Sequence, residues 1–117
     1  MPTVKTISTK ALKRRLARDN GLQFWNVLTD GYFKGELIPG SRRVALDTIE
    51  REISETPLSK GEEIIVYCGG PTCPQSLQAA QKLMDLGYTR VRAYEGGLEE
   101  WKNAGNEIET VGHAKAA

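Results

Sequence analysis

The hydrophobic pattern is clearest in the middle of the chain. Ile64-Ile65-Val66-Tyr67 is a continuous β-branched and aromatic run, with Gly61 before it and Gly69-Gly70 after it. A short apolar run between chain breakers, with no polar alternation, predicts a strand covered on both faces. Just downstream, Leu77, Ala80, Leu83 and Met84 recur at steps of three and four, and the pattern stops at Gly87. That spacing predicts an amphipathic helix with a glycine terminus. Further strands are expected around Leu22 to Leu28 and Val91 to Tyr94, and helices over Thr9 to Arg18, Leu46 to Ile53 and Leu98 to Ala104. Strands alternating with helical segments imply crossover connections, hence an α/β fold on a mainly parallel sheet. There is no internal repeat. The compact body is expected to end near Ile108, leaving 109–117 as a flexible tail.

Composition narrows the class. The 117 residues fit one domain, and 39% hydrophobic with 26% charged residues is ordinary for a soluble globular chain. A net charge of +1 gives no electrostatic case for a nucleic-acid or membrane partner. The start, Met1-Pro2-Thr3-Val4-Lys5, leads into no apolar signal segment and no later run is long enough to span a bilayer, so a cytoplasmic location is expected. The helix from Thr9 carries Lys10, Lys13, Arg14, Arg15 and Arg18, which reads as a solvated helical face or, alternatively, as a docking patch for an acidic partner. Two cysteines and one histidine, His113, make neither a disulfide framework nor a zinc tetrad. Cys68 and Cys73 should therefore matter through reactivity if they matter at all.

Cys68 is expected at the last position of the best strand, at the carboxyl end where open parallel sheets bind their ligands. Nucleophilic sulfur must be the thiolate. Gly69 and Gly70 allow inward-turned amides, and the helix beginning near Pro74 adds its partial positive charge; both favour an anion on sulfur. Pro74 suits the first helical turn. Thr72 and Ser76 read as helix caps or as hydroxyl donors to the sulfur. The whole segment Gly69, Gly70, Pro71, Thr72, Cys73, Pro74, Gln75, Ser76 is the candidate anion-binding loop. Set against that, an unpaired cysteine ending a core strand is commonly a small buried hydrophobe. Cys73 reads as inert, or as a resolving thiol that forms a disulfide with Cys68.

These residues resemble the single-domain rhodanese family over about Val4 to Ile108. Three motifs carry the resemblance. Tyr32 with Gly35-Glu36-Leu37-Ile38-Pro39-Gly40-Ser41 is similar to the family's Tyr-x-x-Gly-His-Ile-Pro-Gly-Ala, with Glu36 in place of histidine. Ile65-Val66-Tyr67-Cys68, its loop and the helix through Ala79-Ala80-x-x-Leu83 to Leu86-Gly87-Tyr88 resemble the active-site element. Tyr94-x-Gly96-Gly97-x-x-x-Trp101-x-x-Ala104-Gly105 resembles the closing motif. The resemblance implies a rhodanese-like three-layer α/β fold, a five-stranded mostly parallel sheet flanked by helices. It also implies a sulfurtransferase without cofactor, monomeric or weakly dimeric, in which Cys68 takes sulfane sulfur from a small donor or a persulfide-donating protein. The sulfur then passes from Cys-S–SH to cyanide, a thiol or an acceptor protein.

The chain also departs from the family. Asn26-Val27-Leu28 stands where many members read Asp-Val-Arg, and Gly69 to Ser76 contains no cationic side chain. A dianionic donor such as thiosulfate would then depend on backbone donors or on Arg42, Arg43 or Arg92, so thiosulfate is not expected as the natural donor. The loop is longer than the common form and similar to a subgroup spelled Cys-x-Gly-Pro-x-Cys. Three other readings stand beside sulfur transfer: a thiol-based arsenate reductase or phosphatase, a redox sensor using Cys68 and Cys73, and a non-catalytic binding module. Phosphatases of related architecture close a Cys-x5-Arg loop, and that arginine position here is Pro74.

Overall fold

The computed structural model describes residues 4–18, 21–55 and 57–111. Among them, β1 (Lys5–Thr6), β2 (Gln23–Asn26), β4 (Arg42–Arg43), β5 (Glu63–Tyr67) and β6 (Arg90–Tyr94) form one sheet in the order β1-β6-β5-β2-β4. Every pairing in it is parallel. The helices are α1 (Thr9–Leu16), α2 (Ile49–Glu55), α3 (Gln75–Asp85) and α4 (Gly97–Asn103), with a 3-10 turn over Leu46–Thr48 ahead of α2. The expected α/β sheet of five strands is thus present, with β5 at its centre.

Alternation along β5 explains the layering. Ile64 and Val66 join one core with Trp25, Ala79, Ala80 and Leu83 under α2 and α3. Ile65 and Tyr67 point the other way, to Leu12, Phe24, Leu98 and Trp101 under α1 and α4. All four β5 side chains are fully buried. Residues of period two must be apolar on both faces when helices cover both, which is why the run shows no polar alternation.

The end of α3 is set by Gly87, whose φ of 102° is open to glycine. Its N–H donates to Met84 O at 3.0 Å and that of Tyr88 to Leu83 O at 3.1 Å, the paired bonds of a Schellman motif. Tyr88 then packs into the same core as Leu83.

Two expectations change. β3 (Glu36–Leu37) and β7 (Glu109–Thr110) form a small antiparallel sheet, pairing Leu37 with Glu109 and Glu36 with Thr110. The ordered body therefore runs past Ile108, because residues 109–111 find backbone partners, with Val111 N–H donating to Gly35 O at 2.8 Å. The rest of the expected tail, including His113, lies outside the described residues. Second, the helix expected from Leu46 begins as a 3-10 turn and becomes α-helical only at Ile49. No helix among the described residues is long and apolar enough to cross a membrane.

Candidate active site

Cys68 lies one residue beyond β5, at the carboxyl end of the central strand. Its backbone is fixed from the side of α4. Leu98 N–H donates to Cys68 O at 3.1 Å and Glu99 N–H to Gly69 O at 2.9 Å. That approach requires Gly97: a Cβ there would stand 2.4 Å from Cys68 O and 2.8 Å from Gly70 N, at a φ of +58°. The closing motif is thereby explained, together with Trp101, which donates Nε1–H to Glu107 O at 2.7 Å and meets Tyr94 edge-on at 6.5 Å.

The opening motif is tied to the same strand. The Tyr67 hydroxyl oxygen accepts the Ile38 N–H at 2.9 Å and lies 2.6 Å from Ser41 Oγ. On the far side of the loop, Gln75 accepts the Thr29 N–H at 3.0 Å through Oε1 and donates from Nε2 to Thr29 Oγ1 at 3.1 Å. Gln75 is therefore a tie between α3 and the segment after β2 rather than a ligand for an anion.

The sulfur itself is covered. Cys68 is 0% exposed and its thiol donates to Cys73 O at 3.4 Å, across the arch of Pro71, Thr72 and Cys73. Cys73 N–H is spent on Gly70 O at 3.0 Å. Burial pushes the Cys68 thiol up to about 11, the Cys73 thiol beside it works in the same direction, and the amide and hydroxyl of Ser76 oppose both. The expectation of a sulfur held ionised is corrected: in this conformation Cys68 is a neutral thiol, because desolvation outweighs the two Ser76 donors. Ser76 N–H does face the sulfur as the helix start should, while Gly69 and Gly70 contribute close backbone approach to α4.

Ser76 corrects a second expectation. It is fully buried in the first turn of α3, whose N-cap is Pro74 with no side-chain cap bond. Its Oγ finds no hydrogen-bond partner, yet it stands close enough to Cys68 to favour charge on the sulfur. An orphaned buried hydroxyl is costly. Neither Ser76 nor Thr72 caps the helix, and the Ser76 hydroxyl is left as a free donor beside the sulfur.

Beside the arch lies a cavity of about 490 Å³, lined by Gly69, Gly70, Thr72 and Cys73 from the loop, with Tyr32, Lys34, Glu36, Glu99 and Lys102 around them. Two lysines face two glutamates, so the mouth carries no net charge, and Lys102 Nζ bonds Glu36 Oε1 at 3.0 Å. Arg42, Arg43 and Arg92 do not line it. Arg42 pairs with Glu52. Arg43 donates to Leu28 O at 2.6 Å, Asn26 O at 3.2 Å and Asp30 at 2.9 Å, and its guanidinium covers the Phe33 ring at 4.0 Å. Arg92 pairs with Glu63. Lys34 and Lys102 are thus the cations at the mouth, and sequence reasoning missed them. Each lies inside a recognised motif, between Tyr32 and Gly35 or next to Trp101, at a position the motif leaves open. No group of three or more His, Cys, Asp or Glu side chains among the described residues could hold a metal ion.

Comparison with known proteins agrees with this architecture. The rhodanese-like domain family model matches residues 8–104. A protein of Allochromatium vinosum named a sulfurtransferase is 29% identical over 105 residues, covering 90% of this chain and 94% of that one. The crystal structure of a Bacillus halodurans protein superposes with a TM-score of 0.79 at 29% identity, over 97% of this chain and 82% of the other. A human single-domain sulfurtransferase shares the fold at a TM-score of 0.74 and 23% identity, over 86% of this chain and 96% of its own. With the family model spanning β2 to β6, the Cys68 loop and α4 together, the chain belongs to the rhodanese-like domain family.

Proposed function

We propose that the protein is a sulfurtransferase that carries sulfane sulfur as a persulfide on Cys68. The observation that carries this reading is the pairing of Cys68, at the carboxyl end of β5, with the amide and the otherwise unpartnered hydroxyl of Ser76 at the head of α3. In the first step the Cys68 thiolate attacks the outer sulfur of a donor R–S–SH, forming Cys68-S–SH and releasing R–S⁻. In the second, an acceptor thiolate attacks the outer sulfur, leaves as its own persulfide, and returns the Cys68 thiolate. Ser76 donates to the anionic sulfur in both steps, and the covalent persulfide divides one transfer into two easier displacements.

Lifting the Cys73 carbonyl off the sulfur is the required prelude. It exposes Cys68 and removes the acceptor that holds the thiol proton. The charge-balanced mouth gives no preference to a dianion such as thiosulfate, and supports a thiol persulfide or a protein as the donor. Location in the cytoplasm, where such thiols are reduced, fits this chemistry.

A second reading has its own support: the Cys73 thiol lies beside that of Cys68. Attack by Cys73 on Cys68-S–SH would release hydrogen sulfide and leave a Cys68–Cys73 disulfide, as in a redox device or an arsenate reductase. Intact-protein mass spectrometry after exposure to polysulfide, thiosulfate or a cysteine persulfide tests both readings. Sulfur transfer predicts a gain of one sulfur on wild type and on Cys73→Ser, and none on Cys68→Ser. A wild type that loses two hydrogens instead, with the sulfur retained only by Cys73→Ser, marks the disulfide reading. No gain on any form would sink the sulfurtransferase.

A further inference from the structure

The basic residues of α1 and the turn that follows it do not merely face solvent. Arg14, Arg15 and Arg18 look across a cavity of about 910 Å³ to Arg90 and Arg92 of β6, near the amino-terminal ends of the strands and away from Cys68. Five guanidiniums there face two carboxylates, Glu62 and Glu63, a surplus of three positive charges. Glu63 is shared by three of them. Arg15 donates from Nε at 2.8 Å and from Nη2 at 2.7 Å, Arg92 bonds the other oxygen, and Arg90 stands at 3.7 Å. One carboxylate cannot satisfy three forks. Arg15 Nη1 is buried and meets no acceptor, and Arg14 and Arg18 make no ion pair among the described residues.

The rest of the wall is aliphatic, with Ile7, Ala11 and Ala17 between the arginines. A smaller recess of about 320 Å³ continues past Arg90 and Arg92 to Lys5. A concave site of this size suits a small molecule rather than the flat face of a protein. Guanidinium forks match phosphate oxygens in pairs, and the aliphatic wall takes a carbon body. We propose that this cavity binds an organic phosphate, its phosphate on Arg14, Arg18 and Arg90 and its carbon frame on Ile7, Ala11 and Ala17. Arg15 and Arg92, fixed by Glu63, hold the positive field in place. The cavity shares no lining residue with the one at the Cys68 loop, so the inference stands apart from the proposed sulfur chemistry.

Titration calorimetry and amide-shift mapping with ADP, pyrophosphate and inorganic phosphate test it, on wild type, the exposed double variant Arg14→Glu with Arg18→Glu, and Cys68→Ser. ADP is expected to bind wild type and Cys68→Ser alike, more weakly as salt rises. The double variant should lose at least about tenfold in affinity, and the shifts should fall at Ile7 and Ala11 rather than at Gly69 and Gly70. The proposal is overturned by the absence of binding, by equal binding to the double variant, or by shifts confined to the Cys68 loop. Inorganic phosphate binding as tightly as ADP overturns the organic part. Capture of a polyglutamate peptide without ADP overturns it in favour of an acidic protein partner.

Discussion

Replacing Ser76 by alanine should make the protein more stable and less active at once. The hydroxyl is fully buried with no partner. Leaving such a group unpaired costs about 1–3 kcal/mol, and alanine in the first turn of α3 adds a few tenths through helix propensity. Part of the hydroxyl's cost is already relieved by its nearness to the Cys68 sulfur, so the net gain works out at about 1 kcal/mol, or about 4 °C in Tm for a domain of this size. Transfer should move the opposite way. Ser76→Ala removes a hydrogen bond to a charged sulfur, worth about 1.5–3 kcal/mol, which slows single-turnover persulfidation by about 10- to 100-fold. Urea unfolding followed by the fluorescence of buried Trp25 and Trp101 reads the first effect, and rapid-quench mass spectrometry the second. A variant less stable than wild type would show that the hydroxyl has a structural partner. One that loads sulfur at the wild-type rate would remove Ser76 from the chemistry.

Four further outcomes are expected. Alkylation of Cys68 by iodoacetamide, resolved by peptide mass, should titrate near 11 in the resting protein; an ordinary thiol profile would refute the closed arch. Because burial favours the neutral thiol, its stabilisation holds at neutral pH and is lost as pH rises towards 11, so wild type should lose more stability over that range than Cys68→Ser. Gly97→Ala sets a Cβ against backbone atoms at a left-handed φ, costing about 2–5 kcal/mol from strain and overpacking; a change in urea midpoint equivalent to under about 1 kcal/mol would contradict the close approach of α4. Arg43→Lys gives up the fork that joins Leu28 O, Asn26 O and Asp30, and should cost about 2 kcal/mol while leaving KM for the sulfur donor unchanged; a raised KM would place Arg43 at the mouth after all.

The parts of the fold that were legible in sequence are those whose signal is local. β5 showed itself as an unbroken apolar run because both of its faces are covered, and α3 through the spacing of Leu77, Ala80 and Leu83 and its end at Gly87. The two-residue strands β1, β4, β3 and β7 carry no such signal: each is held by its neighbour's backbone, and a pair such as Arg42–Arg43 has no periodicity to read. At the site, the position of Cys68 followed from strand and loop order. Its protonation did not, because that depends on how the arch from Pro71 to Cys73 folds over the sulfur. The three arginines were chosen for charge, yet Asn26, Glu52 and Glu63 engage them, and only tertiary pairing reveals that. Lys34 and Lys102 escaped notice for the converse reason, since nothing in their neighbours marks a surface lysine as facing a cleft.

The loop around Cys68 is anchored at both feet, by the amides of Leu98 and Glu99 on one side and by Gln75 on Thr29 on the other. Between those feet lies a span of a few residues with Pro71 and Pro74 in it, held down by the bonds of Cys73 to Gly70 and to the Cys68 thiol. If sulfur is loaded at Cys68, every donor waits on the same brief opening of that span, and at saturation chemically different donors should converge on one maximal rate set by the protein's own clock. Selectivity among them would then reside in how well each is held at the doorway before it opens.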